Sequence, residues 1–280
     1  MAYVKSNGIR LSYTISGTGD PVLLVMGSGA SAQVWDMYQT PALRAAGYRT
    51  VTFDNRGIAP SDVPPGRYAL EDLVADTRGL VEALDLRGCH VVGLSLGGLI
   101  VQRLLATDPE LFTSAVLVAT RSRADRARLA QDAADVALRE SGIQLPAGYR
   151  AVRTVFEMLS PATVNNDAAV AEWLDLFELT YEPGEPNGQV WIDTATDRTA
   201  DLAAVTAPCR VIAFTDDVVS PPHLGAEVAA AIPGCDFVEI PDCGHLGHLE
   251  RPEVFNEAML DFLGKHAVGR AAVSRAGGVR

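Results

Sequence analysis

Ser95, His245 and the adjacent carboxylates Asp216 and Asp217 are the side chains of this sequence whose types suit nucleophilic acyl transfer. A serine hydroxyl is a weak nucleophile until a base takes its proton, and that base is commonly a histidine held by a carboxylate. Ser95 is the centre of Gly93-Leu94-Ser95-Leu96-Gly97, followed by Gly98. The apolar run 89–92 before it reads as a buried strand, and Leu99, Ile100, Val101, Leu104 and Leu105 after it recur at helical spacing. The serine therefore sits where a strand turns sharply into a helix. Such a turn strains its central residue and pushes the hydroxyl out of the fold. Small residues two before and two after allow strand and helix to approach closely. The Leu96 amide, at the first turn of the helix, is placed to donate to a developing oxyanion.

The elements that must position these groups follow from the hydrophobic pattern. Residues 2–16 alternate around Asn7-Gly8 and read as an antiparallel hairpin. The continuous apolar run 21–26 reads as a central strand covered on both faces, and 48–53, 89–92, 115–119, 208–214 and 236–240 read as further strands. Between them lie helical patterns at 35–46, 70–84, 224–232 and 254–263. Strands alternating with helices predict an α/β fold with a mostly parallel sheet and helices on both faces. The alternation stops over residues 121–200, where a charged helix is expected at 123–140 and amphipathic helices at 149–159 and 168–181, with one more over 190–200. That insertion reads as a helical lid, and residues 183–188, rich in Pro and Gly, as a break within it. The core is then residues 1–120 and 201–265, and the small, polar, basic tail 266–280 is expected to be disordered.

Parallel strands put their carboxyl ends on one edge of the sheet, where open α/β sheets bind ligands. Ser95, the Asp216-Asp217 loop and the loop carrying His245 and His248 all follow strands and share that edge. Of the five histidines, His90 enters the strand before Ser95, His223 opens a helix and His266 lies in the tail. His245, next to Gly244, is the expected base, and His248 is expected to be structural. One of Asp216 and Asp217 holds the imidazole while the other caps a turn; Asp125, after the strand ending at Ala119, is a further candidate. The loop Met26-Gly27-Ser28 lies at the same edge, and the amide of Gly27 or Ser28 is expected to be the second oxyanion donor beside Leu96. Asp54 and Arg56 are expected to stabilise their own turn.

Together these motifs resemble the α/β-hydrolase family over roughly residues 2–263. The resemblance rests on Gly93-Leu94-Ser95-Leu96-Gly97-Gly98, Asp54-Asn55-Arg56-Gly57, Asp217-Val218-Val219-Ser220-Pro221-Pro222 and Gly244-His245 with His248-Leu249-Glu250-Arg251-Pro252 behind it. It implies Asp217 as the carboxylate, and the order Ser95, Asp217, His245 is the order of that fold. It also implies likeness to small bacterial esterases, enol-lactonases, C–C bond hydrolases and cofactor-free haloperoxidase-like members, some of which tailor polyketides. Many relatives have His-Gly where this chain has Met26-Gly27, so the usual anchor of that loop is missing.

The expected reaction is hydrolysis of an ester, lactone or thioester of an apolar small molecule. Met26, Trp35, Phe156, Met158, Trp173 and Phe177 are the expected lining of its pocket. Alternatives are elimination, cyclisation or acyl transfer by the same triad, and a ligand-binding module with a vestigial triad. No metal or cofactor is indicated, and the sequence does not fix the oligomeric state. A net charge of −12 over 280 residues argues against nucleic acid and anionic membranes as partners. The four cysteines have no metal-type spacing and suggest no disulfide framework. The N-terminus lacks the apolar core of a signal peptide and no apolar run reaches spanning length, so a cytoplasmic location is expected.

Overall fold

In the computed structural model, which describes residues 1–180 and 188–267, Asn7 and Gly8 take left-handed backbone conformations with φ of 44° and 81°. This turn joins β1 (Ala2–Ser6) to β2 (Ile9–Ser16) with Lys5 opposite Arg10. The next strands are β3 (Pro21–Val25) and β4 (Arg49–Phe53), linked through a 3₁₀ turn at Ala32–Asp36 and helix α1 (Gln39–Ala45). Helix α2 (Leu70–Ala83) leads to β5 (Cys89–Leu94), helix α3 (Leu96–Thr107) and β6 (Phe112–Val118). The sheet is completed by β7 (Cys209–Phe214) and β8 (Asp236–Ile240), with α8 (Pro222–Ala231) between them.

The eight strands lie in the order β1-β2-β4-β3-β5-β6-β7-β8. The pairs β1–β2 and β2–β4 are antiparallel; all others are parallel. Alternation along each central strand divides the core into two layers. Leu23, Val91, Leu117 and Val211 pack on one face with α2 and α3. Val22, Val92, Val116 and Ile212 pack on the other with Leu43 of α1 and with Phe255 and Phe262. The last two belong to α10 (Pro252–Lys265), which follows the short α9 (Gly247–Glu250). Both faces are covered, which is why these strands read as unbroken apolar runs. On α2 the apolar spacing matches the buried face: Leu70, Leu73, Val74, Thr77, Leu80 and Val81.

Between β6 and β7 the described residues form no strand. The helices there are α4 (Arg126–Glu140), α5 (Ala147–Met158), α6 (Pro161–Val164) and α7 (Asp167–Leu179). α4 starts later than expected because Asp125 caps it, accepting from the Arg128 amide at 2.9 Å. The single helix expected over 190–200 is instead two 3₁₀ turns, Gly188–Trp191 and Thr199–Ala204. Asp193 Oδ1 accepts from the amides of Ala195 (2.8 Å) and Thr196 (3.1 Å), so its side chain takes donors that a helix would need. The break at 183–187 and the tail from 268 lie outside the described residues. No helix among the described residues is long and apolar enough to cross a membrane.

Candidate active site

The turn from β5 into α3 holds Ser95 at φ 54° and ψ −114°, a backbone conformation that a residue with a Cβ rarely adopts. The Ser95 amide is fixed by the Val118 carbonyl at 2.9 Å. Glycine is required on both sides of it. A Cβ on Gly93 would meet the Gly97 carbonyl oxygen at 2.6 Å, and one on Gly97 would collide with the Val25 carbonyl. The strained turn thus places the hydroxyl at the carboxyl edge of the sheet.

Two further loops reach that edge. His245, beyond β8, points Nε2 at Ser95 Oγ across 3.0 Å, and its Nδ1 lies 2.8 Å from Asp217 Oδ2. A carboxylate can only accept, so Nδ1–H donates to Asp217 and Nε2 is left to accept the serine proton. Asp217 is 2 % exposed, and its Oδ1 accepts from the amides of Val219 and Ser220, each at 2.8 Å. These bonds replace the hydration its charge loses. Asp216 does not face the imidazole loop in this way; its amide donates to the Cys243 carbonyl at 3.0 Å and ties the two loops together. Asp125 pairs with His223 at 3.3 Å, away from Ser95. His248 is fully buried between Trp35 and Phe255, and burial pushes its pKa down to about 3. Cys243 is also buried, with its thiol pushed up to about 12.

The third loop follows β3. Gly27 lies so close to Ser95 that a Cβ on it would stand 3.4 Å from the serine Cβ. Leu96 heads α3, where an amide has no intrahelical acceptor. The loop is held from outside. Asn55 donates to the Met26 carbonyl at 3.0 Å, and Asp54 Oδ1 accepts from the Ala32 amide at 2.8 Å and Ser31 Oγ at 2.9 Å. Burial raises the Asp54 pKa, against these two bonds. Arg56 makes a bidentate pair with Asp76 of α2, both bonds 2.7 Å. Gln189 was not anticipated: its Oε1 accepts from the Gly29 amide at 2.9 Å and its Nε2 donates to the Arg56 carbonyl at 2.6 Å. It braces the loop where the anchor expected of relatives is missing.

Ser95, Leu96 and Ser28 open onto a cavity of about 810 Å³. Most of its remaining wall comes from α4 and from residues 189–195. Of the six expected lining residues only Met158 is there. Met26 and Trp35 are core residues, 2 % and 0 % exposed, sealed under the sheet edge. Phe156 is 67 % exposed and lines a separate concavity of about 500 Å³ with Tyr149, Val152 and Val218. On α5 the inward face is Ala151 and Val155, continued by Leu159, and Phe156 is one position further round the helix. Trp173 and Phe177 pack on each other at 5.4 Å along α7, outside the cavity wall. The expected lining is therefore replaced by a mixed one, in which Leu99, Leu129, Val136 and Trp191 stand beside Arg121, Arg128, Asp132 and Arg139. Arg121 carried a signal in the sequence, a charged residue just past a strand at the ligand-binding edge.

The alpha/beta hydrolase family model matches residues 22–258. The chain belongs to the alpha/beta hydrolase family. It is an enzyme, and this hydrolase is 45 % identical over 256 residues to "Putative non-heme bromoperoxidase BpoC" of Mycobacterium tuberculosis, covering 91 % of this chain and 97 % of the relative. Among solved structures it is similar to a thermophilic esterase from Thermogutta terrifontis. That match is 29 % identical with TM-score 0.80, covering 96 % of this chain and 100 % of the other. It is also similar to the enol-lactonase from Burkholderia xenovorans LB400, at 25 % identity and TM-score 0.77, covering 94 % and 100 % of the two chains.

Proposed function

We propose that this hydrolase cleaves an ester, lactone or thioester of a small molecule, with Ser95 as nucleophile, His245 as base and Asp217 as the carboxylate that orients it. The observation that carries this reading is the hydrogen-bonded line from Ser95 Oγ through His245 to Asp217, with links of 3.0 and 2.8 Å. Ser95 attacks the carbonyl as its proton passes to His245 Nε2, and Asp217 stabilises the resulting imidazolium. The amides of Leu96 and of Gly27 or Ser28 hold the oxyanion. His245 then protonates the leaving oxygen or sulfur. Water, deprotonated by the same imidazole, releases the acyl group and restores Ser95. The likeness to an esterase and an enol-lactonase supports carboxylic ester chemistry. A cavity of about 810 Å³ suits a substrate of drug-like size. In this reading α4 and the 189–195 segment act as a lid over it, because they form most of its wall.

The test is hydrolysis of 4-nitrophenyl butyrate by the wild type, Ser95→Ala and His245→Gln. Loss of either residue is expected to lower kcat by roughly 10⁴-fold or more. Undiminished turnover by Ser95→Ala would end this reading.

A further inference from the structure

Arg121 follows β6 at the carboxyl edge of the sheet and lines the cavity onto which Ser95 opens. Its side chain is only 8 % exposed. Every hydrogen bond it makes goes to a neutral acceptor: Nη1 to the Val219 carbonyl (3.2 Å) and Ser220 Oγ (3.4 Å), and Nη2 to Thr194 Oγ1 (3.0 Å). Its Nε has no partner. Asp132 Oδ2 makes a long ion pair with Nη2 at 3.9 Å, while Asp132 Oδ1 is bonded to Arg128 at 3.1 Å. Burial pushes the Arg121 pKa down, against the opposing pull of Asp132.

The other acids of the wall lie beside other cations: Glu140 is 3.5 Å from Arg67, which lines the same cavity. Asp135 is held by Arg153 at 2.5 Å, and Asp193 lies 3.6 Å from Arg198, both cations from outside the cavity. Arg139 also faces the cavity, with its hydrogen bond going to the Val190 carbonyl at 2.9 Å. Both arginines thus place their hydrogen bonds on neutral acceptors, Arg121 with one long ion pair to Asp132, while Asp135, Asp193 and Glu140 pair with other cations. Buried charges are ordinarily paired, because an unpaired ion far from water is costly.

We propose that Arg121 is the anion anchor of this cavity, so that the substrate is a carboxylic ester, lactone or thioester carrying a second, free carboxylate. The proposal rests on Ser95 acting in the same cavity. The carboxylate docks on the inward guanidinium edge, supported by Arg139, and orients the scissile carbonyl over Ser95. Arg121 is a specificity residue: it binds a part of the substrate that does not react.

The experiment compares mono-4-nitrophenyl glutarate with 4-nitrophenyl pentanoate, two esters of equal chain length that differ by the terminal carboxylate. The wild type is expected to favour the glutarate in kcat/KM. Arg121→Gln is expected to lower kcat/KM for the glutarate by roughly 30-fold, mainly through KM, and to change the pentanoate by less than about threefold. Arg121→Lys, which keeps the charge without the fork, is expected to retain part of the preference. A parallel loss on both esters would make Arg121 merely a brace for the Asp217 loop and overturn the inference. Calorimetric titration of glutarate into Ser95→Ala separates the two readings. Binding that Arg121→Gln abolishes in that background upholds the anion site even if the wild type hydrolyses neither ester. Absence of binding to Ser95→Ala contradicts it.

Discussion

The carboxylate of Glu250 accepts a hydrogen bond from the Gly244 amide at 2.7 Å. The same carboxylate takes the Ser160 amide at 3.0 Å, Ser160 Oγ at 2.7 Å and Thr163 Oγ1 at 2.6 Å. A Cβ on Gly244 would stand 2.7 Å from the Met158 carbonyl oxygen. The backbone next to His245 is thus pressed against the end of α5 and bolted there by one side chain. Glu250→Ala is expected to reduce stability by about 1–3 kcal/mol, since it leaves buried donors unmet. It is also expected to lower kcat, because His245 loses its fixed approach to Ser95. Thermal unfolding and ester hydrolysis measure the two effects, and normal values of both would show that the bolt does not position His245.

The strain at Ser95 has a measurable consequence. Its φ of 54° suits glycine better than alanine. Both Ser95→Gly and Ser95→Ala should abolish turnover, yet Ser95→Gly is expected to be the more stable by about 1 kcal/mol. Equal denaturant midpoints for the two variants would show that the turn stores no strain.

His248 is expected to make the protein acid-labile. Neither of its ring nitrogens has a hydrogen-bond partner, and its pKa falls to about 3 in the folded state against 6.5 for a free histidine. Between those values the unfolded chain binds the extra proton. Its stabilising contribution is therefore complete above pH 6.5 and is lost as pH falls toward 3, with a slope of at most about 1.4 kcal/mol per pH unit. His248→Leu is expected to flatten that limb and to be no less stable than wild type at pH 7, because it removes an unsatisfied N–H. Melting temperatures from pH 7 to pH 4.5 test this; an unchanged slope would contradict it.

The Arg56–Asp76 pair fastens the loop after β4 to α2, with Asp76 1 % exposed. Asp76→Ala leaves Arg56 charged and buried, and is expected to reduce stability by about 3–5 kcal/mol. Urea unfolding reads this directly, and a loss under about 1 kcal/mol would place the guanidinium in contact with water instead.

How much of this was legible in the sequence differed by region, for physical reasons. Strands such as β3 and β5 are buried on both faces, so their composition alone marks them. Gly93 and Gly97 flank Ser95 because no Cβ fits, which is why that motif survives as a readable pattern. The charge on Asp217 must be met by amides two and three residues on, so its loop also carries a local signature. The cavity wall was not legible. Which side of α5 turns inward depends on what α7 and the His245 loop press against it, and Phe156 and Val155 look equally apolar on paper. Trp35 is ambiguous for the same reason: a large aromatic near the sheet edge can serve pocket or core, and His248 and Phe255, far along the chain, decide for the core.

The most direct measurement is the mass of the protein quenched within milliseconds of mixing with 4-nitrophenyl butyrate, followed by peptide mapping. A single butyryl adduct on Ser95, formed at the rate of the nitrophenol burst and absent from Ser95→Ala, is the expected result. Turnover with no adduct on Ser95, or an adduct on another residue that forms as fast, would contradict the assignment of Ser95 as nucleophile.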